Sequence, residues 1–172
     1  MGIDHFWASV PQQKLFVYTD GADITNTDGW LLLFRDGILA EAPWLGPTAL
    51  LLIQGMYQAI GALADAGLHV IVDDVLYDPR VLQLAVDALY ERNVLFVGVR
   101  CPLDVAVRRE QERGDRAVGA AIFHSLVHAH VHYDLEVDTS CTSPQACAEQ
   151  IKTASENSSP HTAFYQLRQR LS

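Results

Sequence analysis

The chain has 172 residues, of which 49% are hydrophobic and 19% are charged. This length and composition are typical of one soluble globular domain with a single buried core, and they exclude a wholly disordered chain. The formal net charge of −9 repels the phosphates of nucleic acids and the head groups of anionic membranes. We therefore predict that neither nucleic acid nor a membrane is a partner.

Three further features predict a cytoplasmic protein. The cysteines Cys101, Cys141 and Cys147 are spaced neither as a disulfide framework nor as a metal ribbon, which favours a reducing compartment. Asp4 and His5 stand where a secretory signal would carry lysines. No apolar run approaches the roughly 20 residues that a membrane-spanning helix needs.

Residues 14 to 40 hold two apolar runs, K-L-F-V-Y and W-L-L-L-F, on either side of the turn-forming stretch D-G-A-D-I-T-N-T-D-G. Two strands joined by such a stretch predict either a hairpin or an excursion over the sheet. The pattern does not choose between the two.

Apolar periodicity predicts helices in the rest of the chain. They begin with recognisable signals, such as a proline at Pro47 and an Asp78 N-cap followed by Pro79. We expect the first helix to be mostly buried, because most of its residues are apolar. The predicted helices cover residues 47–67, 78–92, 102–113 and 143–154.

Short apolar runs between these helices predict strands. L-H-V-I-V at 68–72 and V-L-F-V-G-V at 94–99 hold consecutive apolar residues, which is typical of strands covered on both faces, and D-L-E-V-D at 134–138 predicts a further strand. Strands separated by helices indicate βαβ units, so the predicted fold class is α/β with a doubly wound parallel sheet, in a domain of residues 1–154. Turn formers predict a loosely ordered tail over 155–172.

Two acidic residues follow the first of these strands. Ligands bind outside the carboxyl ends of strands in an open parallel sheet, and Asp73 and Asp74 stand at such an end. A carboxylate there could hold Mg²⁺ through water. Alternatively, the pair only terminates the strand and caps the following turn. The spacing leaves both interpretations open.

The stretch R-R-E-Q-E-R-G-D-R holds four of the chain's twelve basic residues. If the helix continues through Gly114, then Arg109, Arg113 and Arg116 share one face and form a fork for phosphate oxygens. The alternative is a solvated face whose arginines pair with acidic neighbours. These neighbours are Glu110, Glu112 and Asp115.

The stretch H-S-L-V-H-A-H-V-H contains four histidines, His124, His128, His130 and His132. Histidines four residues apart on a helix could clamp a metal ion, but no glutamate lies inside the motif as a metalloprotease base would. We expect these histidines to be structural or adjacent to the substrate, and we assign no metal site.

Several motifs together resemble the chloramphenicol phosphotransferase family. They are G-I-D-H-F near the start, H-V-I-V-D-D-V-L, V-L-F-V-G-V-R-C-P-L, R-E-Q-E-R-G-D-R and V-H-Y-D-L-E-V-D-T-S, in the family's order and spacing. The resemblance covers roughly residues 2–154 and is weakest between 12 and 40. It implies a P-loop kinase-like fold and transfer of the γ-phosphoryl group of ATP to a hydroxyl of a small molecule.

The resemblance also implies roles for the residues singled out above. Asp4 corresponds to the general base that accepts the proton of the acceptor hydroxyl. Asp73 and Asp74 correspond to the acidic pair near the metal, Mg²⁺, and the substrate. The arginines correspond to a lid over the phosphates. These arginines are Arg109, Arg113 and Arg116.

One family element has no match in the sequence. The family begins with a strand, a phosphate loop of the form G-x-x-x-x-G-K-S/T and a helix, whereas Lys14 and Lys152 are the only lysines here and neither follows glycines. The fold is therefore expected to be incomplete at the N-terminus, with 68–72 and 94–99 each lacking a strand partner. We expect a truncated reading frame, a sheet that closes over the gap, or a strand supplied by a second copy or another chain.

Two functions follow as hypotheses. The first is an ATP- and Mg²⁺-dependent O-phosphotransferase, of the kind that modifies antibiotics, acting on a small hydroxyl-bearing acceptor. The second is a non-catalytic relative that keeps the substrate pocket without nucleotide turnover. The absent phosphate loop is the feature that separates them, because its backbone N–H groups and lysine form most of the cradle for the β- and γ-phosphates.

Overall fold

The computed structural model of the chain describes part of the sequence. The described residues are 16–18, 28–35, 38–40, 43–114, 118–129, 131–157 and 160–171.

Short strands and longer helices alternate along the described residues. The strands are β1 (Phe16–Tyr18), β2 (Trp30–Leu32), β3 (Phe34–Arg35), β4 (Ile38–Leu39), β5 (Trp44–Leu45), β6 (Val97–Arg100) and β7 (Leu135–Asp138). The helices are α1 (Pro47–Asp65), α2 (Pro79–Leu89), α3 (Leu103–Arg113), α4 (Ala120–His124), the 3₁₀ turn Ser125–His128, α5 (Pro144–Glu156) and α6 (Ala163–Leu171).

The predicted helix-start signals at Pro47 and Asp78 are confirmed, and the structure adds a cap at Ser143. The Asp78 side chain accepts a hydrogen bond of 2.8 Å from the backbone N–H of Arg80, so it caps α2. The Ser143 hydroxyl accepts from the N–H of Ala146 at the start of α5. Pro47 occupies the first turn of α1, where its missing N–H costs no hydrogen bond.

The main core lies between α1 and α2. Buried side chains of α1, including Ile53 and Met56, pack against buried side chains of α2, including Val86. The prediction that α1 is mostly buried is wrong, because only one face is covered and Leu51 on the other face is 66% exposed. By length and composition α1, with 19 residues, could cross a membrane, so the expectation that no apolar run approaches that length is corrected. Its buried face packs on α2, and core helices share these properties.

A parallel pair of strands confirms part of the predicted α/β fold. β6 and β7 are parallel, with Val97 opposite Leu135 and Arg100 opposite Asp138. The doubly wound sheet itself is not seen among the described residues. The chain therefore has a mixed helix and strand fold with a small parallel sheet.

The prediction of a strand at 68–72 is wrong, since these residues belong to no strand. The apolar pattern predicts burial on both faces, yet the Ile71 side chain is 85% exposed. The strand ladder of β6 is with β7, and the described residues form no ladder between 68–72 and 94–99. A sheet closed directly over the expected gap is therefore not observed in this part of the chain.

The two apolar runs between residues 14 and 40 do not form a hairpin with each other. β1 lies parallel to β2, and β2 lies antiparallel to β5. A two-residue pairing between β3 and β4 makes a small hairpin instead. The second apolar run therefore contributes to two small sheets.

The structure corrects the prediction of a loosely ordered tail. Residues 163–171 form α6, and Phe164 and Leu167 on its inner face are buried in the core beside α2. The Asp134 carboxylate accepts hydrogen bonds from the N–H groups of Thr162 and Ala163, which fixes the start of the helix. The turn formers before α6 connect two packed helices and do not mark the end of the fold.

Replacing Ile53 with alanine should lower the free energy of unfolding by about 2–5 kcal/mol, because a fully buried side chain leaves a cavity. Leu51→Ala on the exposed face of the same helix should change it by less than about 0.5 kcal/mol. Urea unfolding of both variants measures the difference. Equal losses would show that both faces of α1 are covered in solution.

Candidate functional site

The carboxyl ends of β6 and β7 lie at one edge of the parallel pair. Arg100 ends β6 and Asp138 ends β7, and the N–H of Thr139 donates to the carbonyl of Arg100 at 3.0 Å. Ligands of parallel sheets bind outside this edge. Side chains that reach it are therefore the first candidates for a functional site.

Arg109 on α3 reaches this edge. Its Nη2 donates to the carbonyl of Thr139 at 2.8 Å, and its Nη1 lies 3.4 Å from the hydroxyl of Thr139 and 3.6 Å from Sγ of Cys101. Cys101 and Thr139 are the residues that follow the two strands. The guanidinium group of Arg109, which is exposed, is thus held beside the ends of both strands.

The neighbouring arginine behaves differently. Arg108 is 63% exposed and lies 4.0 Å from the carboxylate of Glu112, which matches the solvated face that the sequence left open as an alternative. The two neighbouring arginines of the basic stretch therefore have different surroundings. Arg109 faces the strand ends, and Arg108 faces solvent.

The predicted face of three arginines is not formed by one continuous helix. α3 ends at Arg113, and Gly114 follows with a left-handed φ of 66°, which closes the helix. Arg113 lies in the last turn, and Arg116 lies outside the described residues. The shared face depended on a helix that continues through Gly114, and this condition is not met.

Glu110 has a role that the sequence did not predict. Its carboxylate accepts hydrogen bonds of 2.8 Å from the backbone N–H groups of Gly119 and Ala121. The predicted ion pair with an arginine is therefore replaced by contacts that tie α3 to the start of α4. The sequence shows only that Glu110 directly follows Arg109, and this does not predict the contact with α4.

The acidic pair Asp73 and Asp74 follows residues 68–72, as predicted, although those residues are not a strand. Asp73 is exposed, whereas Asp74 is half-buried. The Asp74 carboxylate accepts from the N–H of Val75 at 2.7 Å and from the hydroxyl of Tyr57. Asp74 is therefore attached to the core helix α1.

The hydrogen bond between Tyr57 and Asp74 has a clear direction. Burial, the negative charge of Asp74 and the hydrogen bond to it all raise the pKa of Tyr57 far above its ordinary value. The phenol therefore stays protonated and donates, so Asp74 is the acceptor. Sequence reasoning missed Tyr57, whose signal is a tyrosine on the buried face of an otherwise apolar helix.

These carboxylates suit Mg²⁺ better than a softer metal. Mg²⁺ prefers oxygen ligands and is usually held by one or two carboxylates together with waters and substrate phosphates. Within the described residues there is no group of three or more histidine, cysteine or acidic side chains that could form a complete metal cage. The two carboxylates are of the ligand type that Mg²⁺ accepts, and Mg²⁺ at this pair stays a prediction.

The general base predicted from the resemblance, Asp4, lies outside the described residues. Its role stays a prediction. The described contacts connect Asp74 to α1 and Arg109 to the ends of β6 and β7.

The histidine stretch does not form one helical face. α4 ends at His124, and His128 lies in the 3₁₀ turn that follows. Nδ1 of His128 lies 2.8 Å from the hydroxyl of Tyr133. The ring of Tyr133 covers Gly98 so closely that a Cβ atom at position 98 would lie 2.6 Å from the ring. His130 lies outside the described residues. His128 is therefore part of the packing around β6, in agreement with a structural role.

A cavity of about 340 Å³ lies at the opposite end of β7 and is lined by His132, Asp134 and His161. The Asp134 carboxylate already accepts from the N–H of Phe96 at 2.9 Å and caps α6. This cavity is at the amino end of the strand, so it is separate from the edge that Arg109 occupies.

An arginine at the carboxyl edge of a parallel strand pair is common in α/β proteins that bind phosphorylated ligands. Comparison with known proteins shows which family of such proteins the chain belongs to. The family model described as chloramphenicol phosphotransferase-like protein matches residues 1–156, so the chain belongs to that family. The resemblance read from the sequence motifs is thereby confirmed.

Two provisionally named O-phosphotransferases from two strains of Mycobacterium tuberculosis are similar to this chain. Each is 31% identical over 171 residues, and the alignment covers 99% of this chain and 75% of the relative. The family and these relatives together support a phosphotransferase. About a quarter of each relative has no counterpart in this chain.

Protonation of His128 should destabilise the protein in mild acid. Burial, followed by the nearby positive charge of Arg100, lowers the pKa of His128 below its ordinary value of 6.5. Because the unfolded chain then binds the proton first, the stability contribution is complete above pH 6.5 and is lost as the pH falls towards the folded pKa. Chemical unfolding at a series of pH values should show this loss.

The matched variants for this measurement are His128→Gln and His132→Gln. His128→Gln should flatten the decrease in stability between pH 6.5 and 5, whereas His132→Gln, at an exposed position, should keep it. The same slope in His128→Gln as in the wild type would contradict the assignment.

Proposed function

We propose that this chain is an ATP- and Mg²⁺-dependent O-phosphotransferase whose acceptor is a hydroxyl group of a small molecule. The observation that carries the proposal is the position of Arg109 at the carboxyl ends of β6 and β7, in a chain of a phosphotransferase family. The small acceptor, and a second copy or partner chain that supplies a strand, are further parts of this proposal.

The positive charges of the arginines stabilise the phosphoryl group during its transfer. During phosphoryl transfer, negative charge spreads over the oxygens of the γ-phosphoryl group and onto the departing ADP. A guanidinium group is always ionised and can donate two parallel hydrogen bonds to such oxygens. In the proposed reaction Arg109 binds these oxygens, and Arg113 and Arg116 extend the same lid.

The carboxylates have two separate roles in the proposal. Asp4 accepts the proton of the acceptor hydroxyl while the hydroxyl oxygen forms a bond to the γ-phosphorus and the bond to the ADP oxygen breaks. Asp73 and Asp74 hold Mg²⁺ near the phosphates. When bound, this ion neutralises charge on the β- and γ-phosphate oxygens.

The second candidate is a relative that binds a small ligand without nucleotide turnover. It is favoured by the absence of a G-x-x-x-x-G-K-S/T motif from the 172 residues. Lys152 cannot replace the missing lysine in its present position, because it lies on α5 beside Glu149 at 3.9 Å. Lys14 lies outside the described residues.

Nucleotide binding separates the two candidates. At an ATP concentration ten times the Kd, binding to the folded state contributes about 1.4 kcal/mol, which raises Tm by roughly 3–6 °C for a chain of this size. We expect ATP with Mg²⁺ to produce such a shift in the wild type and in Arg108→Ala. Arg109→Ala should lose most of it.

Differential scanning fluorimetry with ATP and Mg²⁺ measures these shifts, and Tm without ligand shows whether each variant is folded. An unchanged Tm in the wild type at millimolar ATP would favour the non-catalytic candidate. Equal shifts in Arg108→Ala and Arg109→Ala would show that Arg109 does not bind the nucleotide.

The role of Asp4 is tested by a variant that should lose catalytic rate while it still binds ATP. Asp4→Asn should lower kcat by about 10²–10⁴-fold, which is the usual contribution of a general base, and should leave the ATP-induced rise in Tm unchanged. Asp104→Asn, in the exposed first turn of α3, is the matched control and should keep full activity. Transfer of labelled γ-phosphate to a panel of hydroxyl-bearing small molecules measures kcat. Full activity of Asp4→Asn would remove Asp4 from the mechanism.

A further inference from the structure

Thr139 contacts the guanidinium group of Arg109 through two oxygen atoms. Nη2 of Arg109 donates to the carbonyl of Thr139 at 2.8 Å, and Nη1 lies 3.4 Å from the Thr139 hydroxyl. Nη1 also lies 3.6 Å from Sγ of Cys101, which is a weak acceptor. Both terminal nitrogens of an exposed arginine are thus directed at the same residue.

The hydroxyl of Thr139 also contacts the carbonyl of Arg100, at 3.1 Å. A carbonyl oxygen only accepts and a guanidinium group only donates, so the single hydroxyl hydrogen goes to Arg100 while the hydroxyl oxygen accepts from Arg109. The direction of both hydrogen bonds is therefore fixed. The same carbonyl accepts from the N–H of Thr139 at 3.0 Å, so the hydroxyl is attached to the end of the β6–β7 ladder.

Thr139 occupies one of the two edges of the guanidinium group that can bind a pair of oxygens. Nη1 and Nη2 form the end edge, whereas Nε and the second hydrogen of Nη2 form the side edge, which the described contacts of Arg109 leave available. The side edge carries two parallel N–H groups, an arrangement that binds two oxygens at once. Arg100 uses its own side edge in this way, because its Nε and Nη2 donate to the two carboxylate oxygens of Glu136 at 2.9 and 3.0 Å.

An exposed arginine without such contacts would sample many rotamers. Fixing a long side chain when a ligand binds costs conformational entropy, and this cost weakens the affinity. The side chain of Arg109 is exposed, but its contacts with Thr139 restrict the guanidinium group before any ligand binds. The contacts therefore reduce the entropy that binding would still have to remove.

We infer that Thr139 is a positioning residue, whose hydroxyl and carbonyl hold the end edge of Arg109 and leave its side edge available to two phosphoryl oxygens. The part of this inference that concerns the phosphoryl group rests on the proposed phosphotransferase function. The hold on Arg109 is a property of the free protein, and Thr139 reaches the ligand only through Arg109.

Three variants separate the hydroxyl of Thr139 from the shape of its side chain. Thr139→Val removes the hydroxyl and keeps a branched side chain, whereas Thr139→Ser keeps the hydroxyl and removes the methyl group. Thr142→Val is the matched control, because it makes the same change nearby and the described contact of the Thr142 hydroxyl is with Sγ of Cys141. Tm shows whether each variant is folded. If Thr139→Val does not fold, Thr139→Ala replaces it with the same expected results.

The direct test is the rotation rate of the Arg109 guanidinium group in the protein without ligand. Nitrogen-15 NMR measures it, with the signals assigned by their loss in Arg109→Lys. Thr139→Val should speed the rotation by roughly three- to tenfold, the factor that corresponds to one lost hydrogen bond, whereas Thr139→Ser and Thr142→Val should stay close to the wild type. An unchanged rate in Thr139→Val, or an equal increase in Thr142→Val, would overturn the inference.

Isothermal titration calorimetry with ATP and Mg²⁺ gives the second readout. Thr139→Val should raise the Kd by roughly three- to tenfold, the cost of ordering one long side chain on binding, and Thr139→Ser should recover most of the lost affinity. In the Arg109→Ala background, Thr139→Val should add little further loss, because its effect passes through Arg109. A general loosening of the strand pair would weaken binding equally in both backgrounds, and that result would also refute the role of Thr139.

The two proposals fail in different ways. If the wild type does not bind ATP, the phosphotransferase proposal fails, and the rotation of the Arg109 guanidinium group still decides whether Thr139 holds it. If ATP binds and Thr139→Val matches Thr142→Val in rotation rate and in Kd, the role of Thr139 is refuted while the proposed function stands.

Discussion

The parallel ladder between β6 and β7 is the constraint on which the candidate site depends. Because parallel strands end at the same edge, the pairing of Arg100 with Asp138 brings Cys101 and Thr139 together, and Arg109 then contacts both. A shift of the register would move Thr139 away from Arg109. The backbone hydrogen bonds of two short strands thus determine where one exposed guanidinium group lies.

Local signals predicted much of the helical structure. The Asp78 cap and the prolines at Pro47 and Pro79 act within a few residues, so their effect can be read from the sequence. Strands need partners that are distant along the chain. An apolar run such as 68–72 shows a preference for burial, but it does not show which strand covers it. α6 was missed because its short amphipathic pattern gains stability only from packing on α2.

The site was predictable to the extent that it depends on residue type and family resemblance. Arg109, Asp73 and Asp74 were singled out in this way, and their roles stay predictions. The roles of Tyr57 and Glu110 were not predicted, because each depends on a contact with a residue 9 to 17 positions away that no spacing rule describes. Spacing along the chain likewise did not show that the helix ends before Gly114, which has a left-handed backbone conformation.

The contacts around Glu110 join two parts of the molecule that are distant in sequence. Glu110 binds the N–H groups of Gly119 and Ala121, and the carbonyl of Val118 accepts from the N–H of Leu39 in the β3–β4 hairpin at 2.8 Å. The arginine helix and the hairpin are therefore linked by hydrogen bonds through residues 118–121. Loss of the Glu110 carboxylate would leave the N–H groups of Gly119 and Ala121 without these acceptors, so the segment that provides the acceptor for Leu39 would be held less firmly.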